Sequence, residues 1–185
     1  MSIWLRASLV GLSILGATLA LAQSTARSPE LERLSVFVGT WWVDGQVFGS
    51  GSQPSMTTGT TEVEWTLNGQ WLRLTSRESA HAHPDYAVTV FITWNDQERE
   101  YKAAVVSTAL QAPIQYSGRW VGERRLEFTG VASGKFLQRV AYELRGQYEI
   151  AFEAANSSDG GATYVPHAVA IWRAERDAGG RHRGA

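Results

Sequence analysis

The sequence contains no cysteine. That absence excludes a disulfide scaffold, a thiolate nucleophile, an iron–sulfur cluster and every zinc site built on thiolates. There is no excess of either charge: 17 Lys and Arg stand against 18 Asp and Glu, a formal net charge of −1 in 185 residues. A nucleic-acid surface needs a concentrated basic excess, so no nucleic-acid partner is expected. The chain also lacks an internal repeat, a G-x-S-x-G nucleophile elbow and, beyond its first residues, any apolar stretch of membrane length.

The one long apolar run is N-terminal. Arg6 is the only charged residue before an uncharged stretch from Ala7 to Leu21, which ends in the small-residue site Ala20-Leu21-Ala22. A charged start, an apolar run too short to span a bilayer and an A-x-A site read as a secretory signal peptide. The expected organisation is therefore a signal peptide at 1–22, a barrel domain at 23–176 and a polar tail at 177–185. With no cysteine after the run, lipid attachment there is excluded. The mature chain, from Gln23, is expected to be exported, periplasmic or secreted, with no membrane span. Removing 22 of 185 residues leaves 163, with a net charge of −2. Such a chain must hold its fold without covalent staples. Seven of the eight Trp remain in it, and such rings bury about 150–250 Å² each.

One helix is predicted. Ser28 can N-cap it, Pro29 suits its first position, and Glu30 and Glu32 suit its dipole. Leu31, Leu34 and Val38 recur along one side, and Gly39 ends it. From Thr40 to Arg173, runs rich in Val, Ile, Thr, Tyr, Phe and Trp alternate with Gly, Asn and Asp, the pattern of an all-β sandwich or barrel. Ten strands are expected, near 40–48, 58–67, 70–79, 86–94, 99–108, 115–121, 124–131, 137–144, 147–154 and 164–174. Short connections make consecutive strands antiparallel neighbours, and closing the meander into a barrel removes its edges. Asn68-Gly69 predicts a type I′ hairpin turn that sets Trp65 opposite Leu72, Val63 opposite Leu74 and Glu64 opposite Arg73. Gly49–Gly59 and Asn156–Thr163 read as the longer loops, and Arg125 is expected to lie across the Trp120 ring.

Gly39-Thr40-Trp41, after a short helix and before a barrel-like meander, resembles the G-x-W motif of lipocalins and related calycin barrels. The resemblance implies that Trp41 packs at the closed end and that an Arg from a late strand crosses its ring. Arg173 is the first candidate and Arg176 the second. Within that group the chain is similar to a bacterial lipocalin-like family of unknown function. The pattern is carried by Leu31-Glu32-Arg33-Leu34 with Val38-Gly39-Thr40-Trp41, by Trp65 to Leu72 around Asn68-Gly69, by Trp94-Asn95-Asp96 leading to Tyr101, and by Tyr116-Ser117-Gly118. The family carries no agreed activity, so it implies none.

Candidate chemistry is sparse. If extended, His81, His83 and Asp85 share a side, and two imidazoles with a carboxylate suit Zn²⁺ or Fe²⁺. Pro84 and the loop-like composition favour a solvated connection, and no metal site is assigned. His167 alternates with Val165, Val169 and Ile171, which on an apolar inner face would let it ligate haem iron. Its position is similar to that of the haem-binding nitrobindins, but their Gly-rich first-strand motif and the residues around their His are missing here. Glu62 and Glu64 fall on the outer face. Asn156-Ser157-Ser158 matches a glycosylation sequon in an apparent loop.

The fold expected is a single antiparallel, calycin-like β-barrel of about ten strands with a short N-terminal helix covering one end. Its expected function is non-enzymatic binding of a small, mostly apolar molecule, which enters opposite Trp41. Val63, Trp65, Leu72, Leu74, Phe91 and His167 are the expected lining, from alternation. No resident cofactor is expected. Two alternatives stay open, a haem- or metal-dependent barrel using His167 and a solid structural or interaction module. The sequence names neither the ligand nor the oligomeric state.

Overall fold

The computed structural model describes residues 26–49, 53–80, 83–133 and 136–175. The expected signal segment, Arg176, the tail and His81 lie outside the described residues. Ten strands follow the N-terminal segment: β1 Gly39–Val47, β2 Ser55–Thr66, β3 Trp71–Ala80, β4 His83–Asn95, β5 Glu100–Ser107, β6 Ile114–Val121, β7 Arg125–Ser133, β8 Phe136–Leu144, β9 Glu149–Ser157 and β10 Val165–Ala174. Each pairs antiparallel with its neighbours in sequence, and β1 pairs with β10 to close the barrel. Closure gives every strand two partners, so no edge is left unpaired.

The β2–β3 hairpin has the expected register, with Val63 opposite Leu74, Glu64 opposite Arg73 and Trp65 opposite Leu72. Asn68 and Gly69 have φ of 58° and 77°, as a type I′ turn requires, and Leu67 joins them at 48°. Leu67 is therefore an exposed turn residue and not part of the inner face. The Gly-, Ser- and Thr-rich stretch 55–59 belongs to β2 and not to a loop, because all of it pairs with β1 and Thr57 to Gly59 pair with β3 as well. Small side chains there lower strand propensity, but two paired neighbours override it.

The helix is shorter than its caps suggest. Ser28 Oγ accepts from the Leu31 N–H at 3.2 Å and Pro29 opens the first turn, but the α-helix Pro29–Glu32 (α1) passes directly into a 3₁₀ helix, Arg33–Phe37. A repeat of three residues per turn eclipses positions i and i+3. Leu31, Leu34 and Phe37 consequently line up and are buried together, while Val38 is only partly buried. This ridge closes one end of the barrel. Tyr101 donates its hydroxyl hydrogen to the Glu30 carbonyl at 2.7 Å, and Arg33 reaches the carbonyls of Gly122 and Glu123 at 2.8 and 3.1 Å.

Trp41 stands at this closed end, where its indole N–H donates to the Phe37 carbonyl at 2.8 Å. Arg173 does not cross it. It lies on the outer face beside Trp42, and its guanidinium bonds Asp44 at 3.1 Å and faces Glu149 at 3.7 Å. Strand alternation decides this: Trp172 and Val43 are paired and face inward, so Arg173 and Trp42 must face outward. The Trp120 ring is covered by Arg33, whose guanidinium carbon sits 4.1 Å from the ring centroid. Arg125 is on the opposite face of the wall, among Glu127, Glu143 and Glu153.

Candidate functional site

The barrel interior has two unlike halves. Near the N-terminal plug, Leu72, Ile92, Leu126 and Ile150 are completely buried, and Phe37, Trp41, Tyr142 and Trp172 pack among them. The rings interlock: Phe37 lies 6.0 Å from Trp120 and 5.7 Å from Tyr142, and Tyr142 lies 5.4 Å from both Phe152 and Trp172. This half is a solid core.

Toward the opposite end the inward-facing residues change character. Val88, Val90, Val105, Ile114 and Val140 face inward by register but are only partly buried. All of these but Val88 pack against the core and still keep accessible surface. Polar groups share this open half. Thr61 Oγ1 lies 2.9 Å from Ser76 Oγ, which lies 2.8 Å from Glu78 Oε1. Thr57 Oγ1 donates to the other carboxylate oxygen at 3.1 Å. A carboxylate only accepts, so Ser76 must donate to it and Thr61 in turn donates to Ser76.

The opposing wall carries a second chain. Tyr116 donates its hydroxyl hydrogen to Gln138 Oε1 at 2.5 Å, and Gln138 Nε2 donates to Asn156 Oδ1 at 3.0 Å. Tyr116 is on β6 and Gln138 on β8, so the ring must cross β7. It crosses at Gly130, where a Cβ would stand 2.6 Å from Tyr116 Cδ1 and 2.4 Å from the Gln115 carbonyl oxygen. Only glycine leaves that passage open. Burial pushes the Tyr116 phenol up to about 12 and, with a smaller push from neighbouring Tyr116, Glu78 and Tyr86, raises Tyr142 further. Tyr86 is raised by burial too, against a hydrogen bond with Ser107 and with help from the Glu78 charge.

Of the residues expected to line the interior, Val63, Leu72 and Leu74 are inward and fully packed at the closed end, with Trp65 partly buried against them. They form a floor. Phe91 is on the outside: it pairs with Arg73, which bonds Glu64, and it borders an outer groove with Thr75 and Thr89. Ile92, its neighbour, takes the inner position.

His167 occupies a β-bulge between Pro166 and Ala168, and its carbonyl accepts from the Phe48 N–H at 2.8 Å. Val169 and Ile171, the residues that would have made its face apolar and inward, point out toward a groove shared with Asp44, Gln46 and Glu153. The inner face of β10 is Ala168, Ala170 and Trp172, so Val169 and Ile171 do not form an apolar inner face with His167. Two β-branched residues look more like a core face than two alanines, but the Trp172 ring needs the interior volume.

Of the candidate metal residues, His83 pairs with Ala80 at the start of β4 and Asp85 is exposed. No group of three or more potential ligands occurs among the described residues. Asn156, expected in a loop, lies in β9 and is bonded to Gln138. Sequence reasoning passed over Glu78 and Gln138, and it met Tyr116 only as part of a family pattern, with no place in a site. The alternation Leu72, Leu74, Ser76, Glu78 was the available signal, since it places the carboxylate on the same face as two core leucines.

A family model described as a protein of unknown function, DUF1579, matches residues 27–163. No curated protein matches the sequence. Among solved structures, Rv2717c from M. tuberculosis superposes with a TM-score of 0.60 at 15% identity, over 82% of this chain and 100% of that one. The S-type phycobiliprotein lyase CPES from Guillardia theta gives 0.56 at 8% identity, over 83% of this chain and 96% of that one. At such identities the likeness is one of fold.

Proposed function

The chain belongs to the DUF1579 family of proteins of unknown function; membership transfers no activity, and from the barrel's geometry we propose a binding protein for a small amphipathic molecule held in the open half. The observation that carries this reading is the company of apolar and polar side chains on the inner face away from the plug. Leu31, Leu34 and Phe37 close one end, whereas Val88, Val105 and Val140 keep accessible surface on the same inner face as Ser76, Glu78 and Gln138. An apolar wall with a few convergent polar groups is what a small-molecule site requires. The likeness in fold to a structure named as an S-type phycobiliprotein lyase supports a barrel of this shape that acts on another molecule. We assign the barrel to the lipocalin-like group with its mouth opposite Trp41. We further propose that the chain acts after export, on the strength of Arg6, the run Ala7 to Leu21 and the Ala20-Leu21-Ala22 site. N-terminal sequencing of protein from its producing cells should then begin at Gln23, and an intact Met1 in the exported fraction overturns that part.

The test of binding uses a neutral apolar dye such as Nile red. Saturable one-to-one uptake is expected, and Val88→Trp, which places an indole beside Ser76 and Ser107 on the inner face, should abolish it while the melting temperature holds. Dye uptake that Val88→Trp leaves unchanged puts the dye outside the barrel and refutes the reading.

A further inference from the structure

The open half carries a single formal charge on its inner face among the described residues, the carboxylate of Glu78. Working around the barrel at that level, the inward positions are Thr57, Ser76, Tyr86, Ser107, Tyr116, Gln138 and Asn156, all of them neutral residue types. The cations of β3 are on the other side of the wall: Arg73 and Arg77 alternate with Leu74, Ser76 and Glu78 and border the outer groove. A carboxylate on the inner face of a closed barrel without a cation is an electrostatic cost unless something compensates it. Here Ser76 and Thr57 give one hydrogen bond to each oxygen. A carboxylate has about four acceptor positions, so capacity remains on both oxygens. The relay from Thr61 through Ser76 fixes the hydroxyl directions, which holds the group ready and does not neutralise it.

We infer that the ligand is a lipophilic amine, whose protonated nitrogen meets Glu78 while its apolar body lies against Val88, Val105 and Val140. This rests on the binding reading above. Tyr86 stands directly across from Glu78 in the β3–β4 register, where its aromatic face favours a cation. Both inner phenols are held protonated well beyond neutral pH by their burial, so they add hydrogen-bonding capacity without competing charge. A fatty acid or another anion entering the same space would bring like charge against Glu78 and find no basic side chain among the described inner-face residues.

The experiment compares three ligands with one apolar body: decylamine, decanol and decanoate, each titrated below its aggregation threshold at neutral pH and read by displacement of Nile red and by calorimetry. Decylamine should bind about tenfold or more tighter than decanoate, with decanol between them. Glu78→Gln should bring the amine-to-acid ratio to within about twofold and leave decanol affinity unchanged. The wild-type ratio decides the matter even if the variant does not fold. Equal binding of amine and acid, or tighter binding of the acid, overturns this inference and leaves the binding reading intact. An amine preference that survives in a folded Glu78→Gln also overturns it. If Nile red binds but none of the three displaces it or releases heat, this inference falls alone; if Nile red is not taken up either and no heat is released, the binding reading falls with it.

Discussion

Truncating Phe37 tests whether the N-terminal segment is part of the core or only a lid resting on it. Phe37 is 2% exposed and meets Trp120 and Tyr142 at 6.0 and 5.7 Å. Phe37→Ala removes a ring from a site bounded by β-strands that are locked in a closed hydrogen-bonded cylinder, so the cavity cannot collapse easily. Losses for such truncations are about 3–5 kcal/mol. Edge and stacking contacts between rings account for about 0.5–1.5 kcal/mol each within that figure. The Trp41 N–H bonds the backbone carbonyl of residue 37 and survives the change, so the loss reports packing. For a domain of this size the melting temperature should fall by about 2–4 °C per kcal/mol, or about 6–20 °C. Urea titration followed by tryptophan fluorescence and by circular dichroism gives the free energy, with coincidence of the two curves testing two-state behaviour. Val36→Ala, one residue away but 48% exposed, should cost less than about 0.5 kcal/mol. A Phe37→Ala loss below about 1 kcal/mol would refute the claim that the plug and the barrel share one core.

Two further outcomes follow from the same geometry. Gly130→Ala should destabilise by about 1–3 kcal/mol in denaturant titration, because the new Cβ meets a neighbouring strand's carbonyl and the Tyr116 ring, while Gly146→Ala, with nothing near its Cβ, should be close to neutral. In alkali, Tyr86, Tyr116 and Tyr142 have folded-state values raised above the ordinary phenol. Their contribution to stability is therefore complete below about pH 10 and declines as pH rises from there through the Tyr116 value of about 12. The urea midpoint should hold from pH 8 to 9 and fall above 10, and an ultraviolet titration in which all six tyrosines ionise normally at about pH 10 while the protein stays folded would contradict the burial argument.

The legible parts of the fold are those governed by local rules. Asn68-Gly69 specifies a turn that accepts positive φ, and once that turn is placed, alternation sets the register of Val63, Trp65, Leu72 and Leu74. Breakers at intervals of a strand length gave ten strands, and edge avoidance then asks for closure. The two misplaced faces, at Phe91 and around His167, share one cause. Alternation separates residues into two sets but does not label either as inner. At β10 an inward His167 would carry Val169 and Ile171 inward with it, and the Trp172 ring claims the interior instead.

Composition and pattern alone determined the absence of covalent staples, the class, the strand count and the hairpin register, because each depends on residues close together in the chain. Only the tertiary structure decided what stands inside. The 3₁₀ ridge of Leu31, Leu34 and Phe37 fills one end, Gly130 lets Tyr116 reach Gln138 across a strand, and Glu78 is the lone inner carboxylate among the described residues. Alternation with Leu72 and Leu74 marks Glu78 as inward, but what each of these groups meets is set by residues far apart in the chain, brought together when the strands close into a cylinder.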